Sequence, residues 1–198
     1  MRSAYACLLL LALAVAALVP NPLLGNSQPP TGENTPEAIA TRALAALKEN
    51  RIADFAKEMH PEALASMKAS LLEVVDAAEE KGRVAEALSI FKGVKEADQL
   101  RKMNDAEFFT AFFDGMLSLQ PRIRDTFKGM TLEVVGHVPE GNDVVHVVYR
   151  GTATVGEVKI SKMSVMSLKA DGDSWRMLLT GDIEGMAAMM KLQFGGRD

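Results

Sequence analysis

The chain has 198 residues, 48% apolar and 24% charged, with a formal net charge of −4 and a single cysteine. That length fits one domain, and the ordinary charge content excludes an intrinsically disordered chain. Mild acidity argues against a nucleic-acid partner, which calls for a basic patch. One cysteine excludes an internal disulfide framework and a multi-cysteine zinc site.

The apolar residues are not evenly spread. Arg2 precedes an uncharged apolar run from Ala6 to Val19, followed by Pro20, Pro22 and the small polar stretch Gly25-Asn26-Ser27. A positive start, a short apolar run and a small-residue exit form the pattern of a secretory signal peptide. The run is too short to span a bilayer and Pro20 ends any helix there. Gly25 and Ser27 supply the small residues at −3 and −1, which places cleavage after Ser27; Ala16 is the alternative. An uncleaved membrane anchor is the competing reading. Cys7 lies before the apolar run rather than after it, which speaks against a lipoprotein. Removing residues 1–27 leaves 171 residues, about 44% apolar and without cysteine, so thiol catalysis goes with the leader.

Residues 28–34 read as a polar Pro/Gly linker, and residues 35–198 as one domain. Thr35-Pro36-Glu37 opens a helix, with Thr35 as N-cap, Pro36 in the first turn and Glu37 at the positive end of the dipole. Ile39, Ala43, Ala46 and Leu47 recur on one face. A second helix, Ile52 to His60, stops at Pro61, which can also start the next one, running towards Gly82. Val84 to Phe91 is a further short helix. Asn104 and Glu107 form a capping box for a strongly apolar helix, Phe108 to Leu119, closed by Pro121. The period then changes. Thr131–Val138, Val144–Val155, Val158–Lys169 and Ser174–Thr180 are rich in Val, Thr, Met and aromatic residues, and turn sequences separate them. A short amphipathic segment, Ile183 to Leu192, ends the chain. Helices first and an antiparallel meander second predict an α+β fold: N-terminal helices packed on a curved, four-stranded antiparallel sheet, with a short C-terminal helix.

Pro36-Glu37-Ala38-Ile39, the Leu44–Leu47 run, Asp54-Phe55, Met59-His60-Pro61 and the late strand Trp175–Leu179 resemble the nuclear transport factor 2-like superfamily. The likeness covers most of Thr35 to Thr180. It implies a cone-like curved sheet wrapped round helices, often enclosing a pocket. That architecture hosts isomerases, dehydratases and cyclases as well as non-catalytic binding and dimerisation modules, so fold alone does not choose a function.

Two of the three histidines, His137 and His146, fall on consecutive strands of one hairpin. Whether they share a face depends on register. Pairs whose numbers sum to an odd value, such as Val138 opposite Asp143, put both imidazoles on one face with Glu133 and Arg150. Leu132, Val134, Val145, Val147 and Tyr149 then share the other, a clean partition that selects this register. A Glu133/His137/His146/Arg150 face is a candidate binding surface, and histidine beside a carboxylate suits acid–base work near neutral pH. The plainer alternative is the solvated side of a sheet.

His60 before Pro61 reads as a helix-end residue, and Asp54 as an ordinary exposed residue, although the resemblance places acidic groups near it in some enzymes. Asp171-Gly172-Asp173 is a hairpin turn rather than a calcium loop. Met163 and Met166 point to opposite sheet faces, and Met186, Met189 and Met190 sit at helical spacing; these read as core filling rather than a copper site. Phe108, Phe109, Phe112 and Phe113 make two neighbouring i,i+4 stripes, either the core helix or in part the lining of an apolar cavity or dimer interface.

These readings predict an exported (periplasmic or secreted), non-catalytic binding or accessory module that holds a small apolar ligand or a protein partner. No cofactor and no metal are expected. The alternative is a small isomerase- or dehydratase-type enzyme using His137 or His146 as acid–base, with Glu133 or Arg150 orienting substrate. A third reading is a homodimer through the sheet. Catalysis requires the two imidazoles to converge in a cavity.

Overall fold

The computed structural model describes residues 32–155 and 158–179, together with positions 185, 188–190 and 192 of a C-terminal helix. The leader, its cleavage site and Cys7 lie outside the described residues, as do most of the linker, Gly156 and Met186.

The helical layer comes first: α1 (Pro36–Lys48), α2 (Ile52–Lys57), α3 (Pro61–Glu80), α4 (Val84–Leu88), α5 (Ala97–Lys102), α6 (Asp105–Leu119) and α7 (Pro121–Gly129). Four strands follow, β1 (Thr131–Glu140), β2 (Val144–Val155), β3 (Val158–Asp171) and β4 (Ser174–Met177), paired antiparallel in the order β1-β2-β3-β4. The sheet curls without closing, so the α+β architecture expected from the sequence is the one found.

The helix starts follow local chemistry. Thr35 Oγ1 accepts from Ala38 N at 3.2 Å, and Pro36 occupies the first turn where no backbone donor is missed. Asn104 and Glu107 form the expected reciprocal box, at 2.9 and 3.1 Å. Two helices escape the sequence reading. Pro121 ends α6 but also opens α7, and α5 begins at a box in which the Gln99 side chain accepts from Glu96 N at 3.1 Å.

His60 is a helix-end residue: it caps α3, its Nδ1 accepting from Glu62 N at 3.2 Å. It also joins the layers. His60 N donates to Met177 O at 2.7 Å, and Met177 N donates to Glu58 O at 2.8 Å, so β4 is laced to the α2–α3 corner.

The two phenylalanine stripes of α6 each find their own aromatic partner. Phe109 and Phe113 stack with Phe55, at centroid distances of 5.9 and 6.0 Å, and with each other at 5.4 Å. Phe108 and Phe112 take Phe91 between them, at 5.2 and 5.6 Å. Phe108, Phe109 and Phe112 are buried, so α6 is the core helix and its aromatic groups fill space rather than line it. Val145, Val147, Leu168 and Met177 complete the core from the sheet. The methionines divide: Met67 and Met177 are core residues, Met190 is buried, and Met163 and Met189 are exposed. Met163 and Met166 do lie on opposite faces of β3.

Candidate functional site

The register of the β1–β2 hairpin decides where the candidate residues lie. From Thr131 to Val134 the pairing keeps an odd sum, with Glu133 opposite Arg150 and Val134 opposite Tyr149. Between Val134 and Gly136 the strand bulges, leaving Val135 as the extra residue. Beyond it the sum is even: His137 lies opposite Val147, and Val138 opposite His146. The expectation that His137 and His146 share a face is therefore corrected. The odd register holds at one end of the hairpin and fails at the other, because one additional residue exchanges the faces.

Glu133, His146 and Arg150 share the outer face, away from the helices. Arg150 Nη1 donates to Glu133 Oε2 at 3.2 Å across the strand pair. His146 lies between Glu140, whose Oε2 is 2.6 Å from its Nε2, and Ser167, whose Oγ is 3.0 Å from its Nδ1. Both imidazole nitrogens are thus engaged. Val138 and Val165 stand exposed on the same face.

His137 turns inward, towards α1. Its Nδ1 meets Oε1 of Glu37, a hundred residues earlier in the chain. Glu37 is only 6% exposed, because it sits on the face of α1 that presses on the sheet. Ionised, this carboxylate accepts the Nδ1 proton, which leaves Nε2 as the acceptor on the exposed side of the ring. Oε2 of Glu37 is buried and has no hydrogen-bond partner among the described residues. The first-turn position favours a negative charge, which offsets part of the cost of burial. The sequence marks Glu37 only as a dipole-complementing residue; nothing in its neighbourhood signals a distant histidine.

Next to this pair, the same two elements enclose a cleft of about 230 Å³. Thr41, Leu44, Ala45 and Lys48 line it from one stripe of α1, and Thr131, Leu132 and Val134 from β1. Its floor is apolar, and its rim carries Lys48 and Thr131 at one end. None of the four residues expected to bind lines this cleft. His137 alone of the four shares the inward face of β1, three positions along from Val134, whereas Glu133 points outward between Leu132 and Val134.

Tyr149 lies opposite Val134, on the inner face of β2. Burial pushes its phenol above its ordinary value near 10, against a smaller opposing effect from its hydrogen bond with Ser164. The folded state therefore holds the phenolic proton more tightly than the unfolded chain. Its contribution to stability is complete below the unfolded value and is lost as pH rises through the folded one. Tyr5 and Tyr149 are the two tyrosines of the chain. In protein starting at Gln28, which keeps Tyr149 but not Tyr5, absorbance near 295 nm is expected to show one phenol ionising above about pH 10. An ordinary titration curve in the native protein would contradict this burial.

Asp54 is an exposed residue held by Lys57 at 2.8 Å and Arg51 at 2.5 Å, which keep its carboxyl below the usual range. Among those residues, no group of three or more His, Cys, Asp or Glu side chains could hold a metal ion, and no helix is long and apolar enough to cross a membrane. Compared with protein-family models, with curated proteins and with solved structures, the chain matches none.

Proposed function

We propose that the chain is an exported, non-catalytic binding module of the nuclear transport factor 2-like kind, holding a small, largely apolar ligand between α1 and β1. The observation that carries this reading is the cleft itself: an apolar floor built from Leu44, Ala45, Leu132 and Val134, with polar groups confined to its rim. Its volume of about 230 Å³ lies below the range usual for drug-sized ligands, so the ligand is small. The placement of His137 and His146 on opposite faces weighs against the two-histidine enzyme. The Glu37–His137 pair then has a positioning role, fixing α1 against β1 and so setting the width of the cleft.

Native mass spectrometry of protein recovered from its natural compartment tests both halves of this reading. A polypeptide starting at Gln28 and carrying a small-molecule adduct is expected. An Ala45→Phe variant, which fills the cleft from α1, is expected to lose the adduct while remaining folded. An adduct unaffected by Ala45→Phe would place the ligand elsewhere. A bare polypeptide mass in both proteins would overturn the binding reading, and a retained leader would overturn cleavage.

A further inference from the structure

Resting on the cleft as the binding site, we infer that its ligand is a small amphipathic anion, a monocarboxylate with a short apolar tail. The polar inventory of the lining carries this step. It contains one cation, two hydroxyls and no acid. The Thr41 hydroxyl donates to Glu37 O at 2.7 Å, so it has no proton to offer a ligand. That leaves the Lys48 ammonium and the Thr131 hydroxyl as side-chain donors, both at the same end of the cleft.

Lys48 is not committed elsewhere. Among the described residues its ammonium meets no carboxylate: Glu49 pairs with Arg51 at 2.8 Å, and Glu133 pairs with Arg150 at 3.2 Å on the other side of the sheet. Nor is it needed to cap α1. The Ala45, Ala46 and Leu47 carbonyls already accept from Glu49 N at 3.0 Å, Arg51 N at 2.8 Å and Asn50 N at 3.1 Å. An unpaired ammonium beside an apolar floor suits a carboxylate head with an alkyl tail, since each end then meets its own chemistry.

Volume sets the tail length. At about 30 Å³ for each water-sized unit, the space holds roughly eight such units. Hexanoate, with a six-carbon chain and two carboxylate oxygens, matches it and is the probe of choice.

The experiment is a set of amide chemical-shift titrations of the full protein with hexanoate, 1-hexanol and hexylammonium. Hexanoate is expected to shift the amides of Leu44, Ala45, Leu132 and Val134, and to bind about 3- to 5-fold more tightly than hexanol, as fits an ion pair at an exposed rim. Hexylammonium is expected to bind most weakly. Lys48→Met keeps the stem but not the charge, and should lower hexanoate affinity to that of hexanol while leaving hexanol unchanged. Added salt should narrow the gap between hexanoate and hexanol in the wild type only. If hexanol binds as tightly as hexanoate, or Lys48→Met changes neither, the anionic assignment falls while the cleft remains a ligand site. If none of the three probes shifts those amides, the cleft is not a ligand site and the wider reading falls with it.

Discussion

Gly115→Ala is expected to destabilise the protein by about 2–3 kcal/mol, although local propensity alone predicts a gain. Alanine in place of glycine within a helix favours folding by roughly 1 kcal/mol. Gly115, however, lies where α6 passes beneath the segment following α4. A Cβ built there would stand 2.0 Å from Ile90 O, 2.7 Å from Ile90 C and 2.9 Å from Lys92 N. These neighbours are backbone atoms and cannot rotate aside. The segment would have to lift, breaking the 2.9 Å bond from Lys92 N to Ala111 O and drawing Phe91 out from between Phe108 and Phe112. Overpacking of this kind costs about 3 kcal/mol or more, which exceeds the propensity gain. For a chain of this length that net loss is a fall in Tm of roughly 5–10 °C. A melting temperature equal to or above that of the wild type would show that the helix and the segment do not meet as described.

His137→Ala is expected to cost about 2–3 kcal/mol, the upper part of the range for leaving a buried acceptor without its hydrogen bond. The loss comes less from the missing bond than from what remains. Glu37 Oε2 has no partner among the described residues, so removing His137 strips the last side-chain partner from a buried carboxylate. Glu37→Gln keeps a hydrogen-bonding group without the charge and should cost less. Replacing both residues by leucine should recover most of the loss, because no charge is then left in an apolar setting. Denaturant unfolding of Glu37→Leu, His137→Leu and the double-leucine variant closes a cycle that measures the coupling directly. Additive losses in that cycle would mean that the two side chains do not act as a pair.

Much of the fold is legible in the sequence because its signals are local. Thr35-Pro36, His60-Pro61 and Asn104 with Glu107 each place the chemistry of a helix start within four residues. The hairpin turns at Gly141 and Gly172 carry the glycine that their positive φ requires, 66° and 60°. Helix α7 is hidden because Pro121 serves two elements at once, and a sequence reading that takes it as a stop finds no start. Helix α5 is only six residues long and lacks a periodic apolar face.

The candidate site is less legible. Glu133 and Arg150 pair as the cross-strand pattern suggests, since no irregularity separates them from the start of β1. His137 and His146 part company because regular alternation does not continue through Val135, where the strand bulges. The adjacent pair Val134-Val135, followed by Gly136, is the trace that bulge leaves in the sequence, and it is easily passed over in a valine-rich strand. The partnership with Glu37 leaves no trace at all, because it exists only once α1 has been laid along β1.

The single extra residue at Val135 also divides β1 into two stretches read in opposite phase. Ahead of it, even-numbered residues face the helices; after it, odd-numbered ones do. Deleting Val135 would remove the bulge yet leave His137 opposite Val147, because Gly136 would then follow Val134 in unbroken alternation. Deleting Pro139 instead, with Glu140 kept opposite Val144, would absorb the bulge, send the imidazole of His137 outward and turn Val138 inward opposite Val145. The turn at residues 141–143 lies beyond the last inward-facing residue of β1, so it can change length without that exchange. Tolerance to a one-residue deletion should therefore be high at Val135, low from His137 to Pro139, and high again just after Glu140.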